Sequence, residues 1–273
     1  MSFFCCPVCG APLEQVGGAL RCGKGHSFDT AREGYTHLLP PNRKHSAAPG
    51  DDKGMAAARR TFLSKGYYAP LRDALCDLAV RCTGDAPAVL DAGCGEGYYT
   101  GGIHRALLAA GKQPRTAGID ISKFILRYAA KAEKDIEFAV ASSYHLPVAD
   151  QSVDLLINCF SPLALEEFSR VLRPGGTFFY VVPGPMHLWE MKQVLYDTPY
   201  PNEEKETPYP GFAYREIVPV SGTITLPSQE DLHALFQMTP YFWKTSQEGA
   251  ARLAALNNLT VRTEFRIHVF TRT

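Results

Sequence analysis

Four residues near the start of the chain, Cys6, Cys9, Cys22 and His26, read C-x2-C-x12-C-x3-H: two close pairs separated by a hairpin-length segment. That is zinc-site spacing. Each pair sits in a turn, CPVCG and CGKGH, where Pro7, Gly10, Gly23 and Gly25 permit tight bends, so both pairs can face one tetrahedral ion. Scattered reduced thiols are the bland alternative, but inert cysteines have no reason to keep pair spacing. Cys5 could replace Cys6, yet C-x3-C is the less usual knuckle, and Cys5 reads as a bystander. Three thiolates and one imidazole close the coordination sphere, so the expected zinc, one per chain, is structural. A unit this short buries too little core to fold alone, and the metal would supply much of its folding free energy. Chemistry must lie elsewhere.

It is expected at VLDAGCGEGYYT, where a strand turns through Gly93, Gly95 and Gly97 into a helix. Glycines there let the backbone approach a ligand. The spacing G-x-G-x-G departs from the dinucleotide pattern, and Asp91 stands two residues before the first glycine. A phosphate would be repelled by that carboxylate; an ammonium group would be attracted. Asp120, closing the next strand in GIDIS, is placed to accept both hydroxyls of a ribose. The ligand implied has a cationic amine at the loop and a nucleoside beyond it.

The elements that must position these groups follow from periodicity. Short apolar runs (AVLDAG, RTAGIDI, IEFAVA, VDLLINCF, GTFFYVV) alternate with helical stretches (YYTGGIHRALLAAG, SKFILRYAAKAE with Ser122 as N-cap, LALEEFSRVL, MHLWEMKQVLY). Strand and helix in alternation predict an α/β fold with a parallel sheet covered on both faces. Val261, Phe265, Ile267 and Val269 have period two and predict a last strand closing one edge. Ahead of the sheet, MAAARRTFLSKG is helical with Met55, Ala58 and Phe62 on one face, and Leu71, Leu75, Leu78 and Cys82 form a second core-facing stripe. Residues 40–54 read as a linker or exposed loop, and the Pro-rich 197–212 as a mobile loop near the pocket.

The apolar content of 45% is that of a globular protein, and Lys+Arg and Asp+Glu are both 28. Distribution says more than the total. Residues 1–70 hold nine Lys/Arg against five Asp/Glu, leaving 19 against 23 for the rest, so a basic front meets an acidic body. Arg43, Lys44, Arg59, Arg60 and Lys65 are the cations of that front, joined by Lys24 and Arg32; composition alone reads them as a solvated surface. The start has no basic segment followed by a long apolar one, and no run is long enough to span a membrane, so the expected location is the cytoplasm, where eight cysteines are thiols or metal ligands.

Asp91 with Gly93, Gly95 and Gly97, then Asp120, then ASSYHLPVADQSVDLL and RVLRPGGTFFYV, resemble the ordered motifs of class I methyltransferases that use S-adenosylmethionine. Their adenine-edge position falls on Ser142 or Ser143, and Glu96 lies inside the loop. With the zinc ligands, HSFDTAREGYTHLLP, PGDDKGMAAARRTFLSKGYYAPLRD and LFQMTPYFWK, the chain resembles nearly end to end the bacterial 23S ribosomal RNA guanine-N1 methyltransferases of the A type. The resemblance implies a Rossmann-like methyltransferase domain over 85–273, a zinc-ribbon-like module over 1–36, and a basic linker with helices covering the cofactor over 37–84. It implies methylation of guanine N1 in the hairpin 35 loop at position 745 or 748, with 745 favoured, by a homodimer whose zinc modules flank the RNA. It also turns the front cations into phosphate contacts and adds Tyr68 and His187 to the cofactor site.

Guanine N1 carries a proton at neutral pH, and a carboxylate is the natural base. Glu96, Glu190 and Glu216 are candidates that no spacing rule separates. NCFSP, ending the fourth strand, places Asn158, Phe160 and Ser161 on the acceptor side. Two other classes fit part of the pattern. A small-molecule methyltransferase with a structural zinc would act without regard to salt; a non-catalytic ribosome-assembly factor would bind RNA without turnover.

Overall fold

The computed structural model describes residues 1–40, 50–204 and 206–273. The front begins with a three-stranded antiparallel sheet, β1 (Leu13–Val16), β2 (Ala19–Cys22) and β3 (Ser27–Asp29). The next strand, β4 (Tyr35–His37), leaves that sheet and pairs in parallel with β7 (Glu137–Val140) of the main one. Phe4, Cys6, Leu13 and Leu20 share one buried cluster with Leu90, Ile119 and Phe178. The division at residue 36 is therefore not a physical gap: the module packs on the main sheet and supplies its last strand.

The main sheet has the order β10-β11-β9-β8-β5-β6-β7-β4. Its parallel strands are β5 (Ala88–Ala92), β6 (Arg115–Asp120), β7, β8 (Val153–Cys159) and β9 (Leu172–Pro183), with β4 beside β7. The crossover helices are α3 (Tyr98–Ala109), α4 (Lys123–Ala132) and α5 (Leu165–Val171), and α6 (Trp189–Leu195) follows β9. The chain builds outward from β5 to β7 and then returns to β8 on the other side of β5. This reversal opens a crevice at the carboxyl ends of β5 and β8, where open α/β sheets bind ligands.

Two expectations change here. The sheet is mixed, because β11 (Leu259–Arg272) runs antiparallel to β9. Nor does β11 close the edge: β10 (Phe212–Leu226) pairs along its whole length on the outside. Val261, Phe265, Ile267 and Val269 are buried, as their alternation requires.

α1 (Lys53–Ser64) lies at the sheet's ligand end, where Arg59 and Leu63 line the cavity, and α2 (Ala69–Cys82) packs beside α3 and β10. Asp52 caps α1 through a hydrogen bond from Met55 N, 2.9 Å. Leu71, Leu75 and Leu78 of α2 are buried against the core, each contributing about 2 kcal/mol by removal of apolar surface from water. α7 (Gln229–Gln237), α8 (Tyr241–Lys244) and α9 (Gln247–Ala254) close the same end beside α1 and α6. Among the described residues no helix is long and apolar enough to cross a membrane.

Candidate active site and metal centre

The ligand atoms of Cys6, Cys9, Cys22 and His26 lie within 4.8 Å of one another. Cys9 Sγ and Cys22 Sγ are 3.8 Å apart, and His26 Nδ1 lies 3.5 and 3.4 Å from the sulfurs of Cys6 and Cys22. A tetrahedral zinc with bonds of about 2.3 Å to sulfur and about 2.0 Å to nitrogen gives edges of about 3.8 and 3.5 Å. The donor set fits zinc. Burial opposes ionisation of Cys22, but backbone N–H groups of His26 and Lys24 outweigh it and bring the thiol down to about 6, near the thiolate a metal needs. Cys5 stays outside the cluster, its N–H donating to Pro147 O at 2.7 Å.

At the switch point lies a cavity of about 360 Å³ lined by Gly93, Cys94, Gly95, Glu96, Asp120 and, across from them, Asp51 and Arg59. Gly95 and Gly97 have φ of +56° and +82°, so the turn into α3 is left-handed twice. The loop is tied to the next strand: Gly93 N and Cys94 N both donate to Ile119 O, each at 2.9 Å. Asp120 accepts from Gly95 N at 3.0 Å and from Ser122 N at 2.8 Å. Ser122 starts α4 without capping it; its hydroxyl donates to Asp51 O at 2.5 Å, holding the approach to α1 over the cavity.

The pocket is acidic: Asp51, Glu96 and Asp120 line it against Arg59, which pairs with Asp51. Burial pushes Asp120 up to about 6 and Glu96 up to about 7. Beneath the loop, burial raises Asp91 to about 7 although Thr100 donates to its Oδ2 at 2.6 Å, and its Oδ1 has no partner. Glu96 Oε2 is likewise buried and unpaired. Such carboxyls regain their charge when a cation arrives. A sulfonium with an adjoining ammonium, attached to a nucleoside, suits these residues. Ile121 and Ile125 add an apolar wall for a planar ring. The sequence reading passed over both, although Ile121 directly follows Asp120.

A second cavity, about 280 Å³, adjoins the first, and Arg59 and Phe160 line both. Phe160 adopts φ +55° after β8 and packs on Phe265 with centroids 5.7 Å apart. Tyr68 and His187 line this second cavity rather than the first, with Tyr68 Oη 3.3 Å from His187 Nε2. Lys192, Tyr196, Tyr200, Asn202 and Tyr241 are among its other walls, none of them singled out by sequence. Ser161 lines the first cavity against Gly93.

Other site candidates are placed elsewhere. Ser142 lines a third cavity, between the zinc module and the sheet, and not the cofactor cavity. Asn158 lines neither ligand cavity: it is fully buried, and its amide donates to Ala92 O and Pro162 O, tying the ends of β5 and β8 together. Glu190 is bound to Arg262 at 2.8 Å and Glu216 to Arg81 at 2.6 Å, which leaves Glu96 as the one base candidate inside a ligand cavity.

The front cations divide. Arg43 and Lys44 lie outside the described residues. Arg59 turns inward to the cavity wall and pairs with Asp51 at 2.9 Å, so it is not a surface contact. Lys65 pairs with buried Asp231 at 2.6 Å, a tie between α1 and α7. Arg60 remains exposed, 4.8 Å from the Tyr128 ring. It overlooks a groove lined by Lys53, Phe124, Arg127, Tyr128 and Lys131, with Lys123 beside the Phe124 ring.

Residues 4–47 match the zinc-ribbon family described as "RlmA, N-terminal", and residues 89–176 match a methyltransferase domain. A Bacillus subtilis (strain 168) protein, YxjB, named as a candidate 23S rRNA (guanine-N1)-methyltransferase, is 31% identical over 97% of this chain and 96% of its own. The chain belongs to this methyltransferase family. A Streptomyces fradiae member named 23S rRNA (guanine(748)-N1)-methyltransferase is 38% identical over 70% of this chain and 66% of its own. A Micromonospora griseorubida member is 40% identical over 68% and 67%. As a family member the chain is an S-adenosylmethionine-dependent methyltransferase with a zinc ribbon at its front.

Proposed function

We propose that this enzyme methylates N1 of a guanine in the hairpin 35 loop of 23S ribosomal RNA, at position 745. The carrying observation is the pair of adjoining cavities: an acidic one suited to a cationic nucleoside and an aromatic one suited to a flipped base, both lined by Arg59 and Phe160. The names of the relatives supply the acceptor, 23S rRNA guanine N1. The 745 preference rests on the N-terminal resemblance.

S-adenosylmethionine supplies a methyl group on a cationic sulfur. Asp120 would accept hydrogen bonds from its ribose hydroxyls, Asp91 and Glu96 would balance its positive charge, and Arg59 would pair with its carboxylate. Phe160 stands at the boundary of the two cavities, with Ser161 on the cofactor side and Tyr68 and His187 on the acceptor side. Burying both reactants in one crevice fixes the in-line approach. Arg60, Lys53, Lys123 and Lys131 hold the RNA backbone by phosphate contact, and the resemblance adds Arg43 and Lys44 to that role. Unpaired loop bases suit this site, because a paired guanine hides N1. The reading includes a homodimer with zinc modules flanking the RNA, and the substrate places the activity in the cytoplasm.

The test is incubation of zinc-loaded protein with unmodified 23S ribosomal RNA and labelled S-adenosylmethionine, followed by nucleoside mass spectrometry and primer-extension mapping. 1-Methylguanosine in the hairpin 35 loop is the expected product, and the stop position separates 745 from the 748 of the Streptomyces relative's name. Unlabelled RNA with cofactor bound would overturn the proposal. Sedimentation of the complex reads the dimer.

A further inference from the structure

The second cavity offers no carboxylate to take the N1 proton. Among the described residues, none of those lining it is an aspartate or glutamate. His187 does not serve. Its Nδ1 accepts the N–H of Glu264 at 3.1 Å, which leaves the ring proton on Nε2, facing Tyr68. Burial, and then nearby Lys192, holds its pKa down to about 3, so the ring stays neutral. The site must make the proton leave by another means.

It has one. Lys192, on α6, is 2% exposed and reaches the cavity. Its Nζ donates to Tyr200 O at 2.9 Å and Asn202 Oδ1 at 2.7 Å, and lies 5.2 and 5.6 Å from the ring centroids of Tyr200 and Tyr241. An ammonium has three hydrogens, so these acceptors leave one unused. Among the described residues no carboxylate pairs with it, and burial alone pushes its pKa down. A buried ammonium without a counter-ion is costly unless a ligand brings negative charge to it.

We propose that Lys192 donates its third N–H to O6 of the target guanine and holds the negative charge that O6 takes up as N1 loses its proton. This rests on the guanine-N1 reading above. Deprotonated guanine shares its charge between N1 and O6, so a cation at O6 favours the anion without a base at N1. The proton leaves to water. N1 then forms the bond to the methyl carbon, and the electron pair of the broken carbon–sulfur bond stays on sulfur. The base and the thioether both end neutral, with one proton released. A fixed cation in a site closed to water acts on such charge far more strongly than in solution. Adenine would present an amino group to the same ammonium, donor against donor, so Lys192 also selects against it. The Tyr196 and Tyr241 rings, 6.2 Å apart, give the base its aromatic surroundings.

The other titratable groups facing the cavity are Arg59 from α1, Tyr68 before α2, Tyr196 and Tyr200 after α6, and Tyr241 and Lys244 of α8. The experiment measures single-turnover methylation of unmodified 23S ribosomal RNA from mildly acidic to alkaline pH. It compares wild type, Lys192→Met, Lys192→Gln and Asn202→Ala, with S-adenosylhomocysteine affinity by calorimetry. Lys192→Gln keeps a donor for the segment around Asn202 and removes only the charge. Either Lys192 variant is expected to lose about 100-fold or more in rate at neutral pH. Cofactor affinity and KM for RNA should hold, and the deficit should narrow as alkaline pH deprotonates the base unaided. Asn202→Ala, which removes one acceptor of the ammonium and keeps its charge, is expected to lower the rate by a similar factor at every pH and so keep the shape of the wild-type profile. An unchanged pH profile in both Lys192 variants, or a profile reproduced by Asn202→Ala, overturns the proposal and leaves Lys192 a tether. Wild-type protein that makes no 1-methylguanosine would overturn the underlying reading instead.

Discussion

Gly93, at the end of β5, has φ +97°, and a Cβ built on it would overlap Oγ and Cβ of Ser161 in the loop after β8. Gly93→Ala therefore meets two separate penalties. A side chain held at that φ costs about 1–3 kcal/mol. Forcing two packed loops apart costs about 1–3 kcal/mol more. The expected loss is about 2–6 kcal/mol, a large share of a total stability of about 5–15 kcal/mol. Ser161→Gly removes the overlapped atoms, so the double variant should recover the packing part and keep the φ part. Urea unfolding of the four proteins, treated as a double-mutant cycle, should give a coupling of about 1–3 kcal/mol. Calorimetric cofactor affinity should recover in parallel, since both loops line one cavity. A double variant no more stable than Gly93→Ala would refute the reasoning. So would a Gly93→Ala protein as stable as wild type.

Further outcomes follow from the same geometry. Because the zinc module shares a buried cluster with the main sheet, chelation or Cys22→Ser should lower one cooperative melting transition; a separate early transition of the module would contradict the shared core. Asp120 and Glu96 have folded pKa values raised to about 6 and about 7, so the stability they contribute is complete below their unfolded values near pH 4 and is lost as pH rises through 6 and 7. A cationic cofactor favours their charged forms, so affinity should strengthen from about pH 5 to about pH 8 with proton release, read by calorimetry in buffers of different ionisation heat; pH-independent binding would count against the acidic pocket. Arg60→Ala and Lys123→Ala should each reduce the salt slope of RNA binding by about 1. Lys65→Ala should leave that slope alone and cost about 1–3 kcal/mol by stripping buried Asp231 of its partner.

The parallel strands and the two ligand sites were legible because their signals are local. C-x2-C and C-x3-H bring their own turns, and the run from Asp91 to Gly97 carries strand, turn and helix start in one stretch. β10 was not legible. As an outer strand it is exposed over most of its length and contains Pro219, so it shows neither a buried run nor clean alternation. That omission also put β11 at the edge. The adjacent pair Arg59 and Arg60 shows a second limit: successive helical residues point about 100° apart, and sequence does not say which one faces the cavity. Lys192 looks like any lysine in an amphipathic helix. Its meaning comes from the carbonyl of Tyr200 and the amide of Asn202, held by folding of the segment after α6. Ser142 was misplaced because it lies in the turn after β7, where motif order does not say which way a short side chain faces.

The strand β4 is only three residues long, yet it occupies one end of an eight-stranded sheet. Without it, β7 would present the open backbone N–H and C=O groups of an unprotected strand edge, a template for pairing with another chain. The metal site therefore does more than order its own hairpin. Because β4 follows the zinc hairpin in the chain, loss of the metal is expected to loosen it and bare β7, and insoluble protein is the symptom to look for in zinc-starved cells.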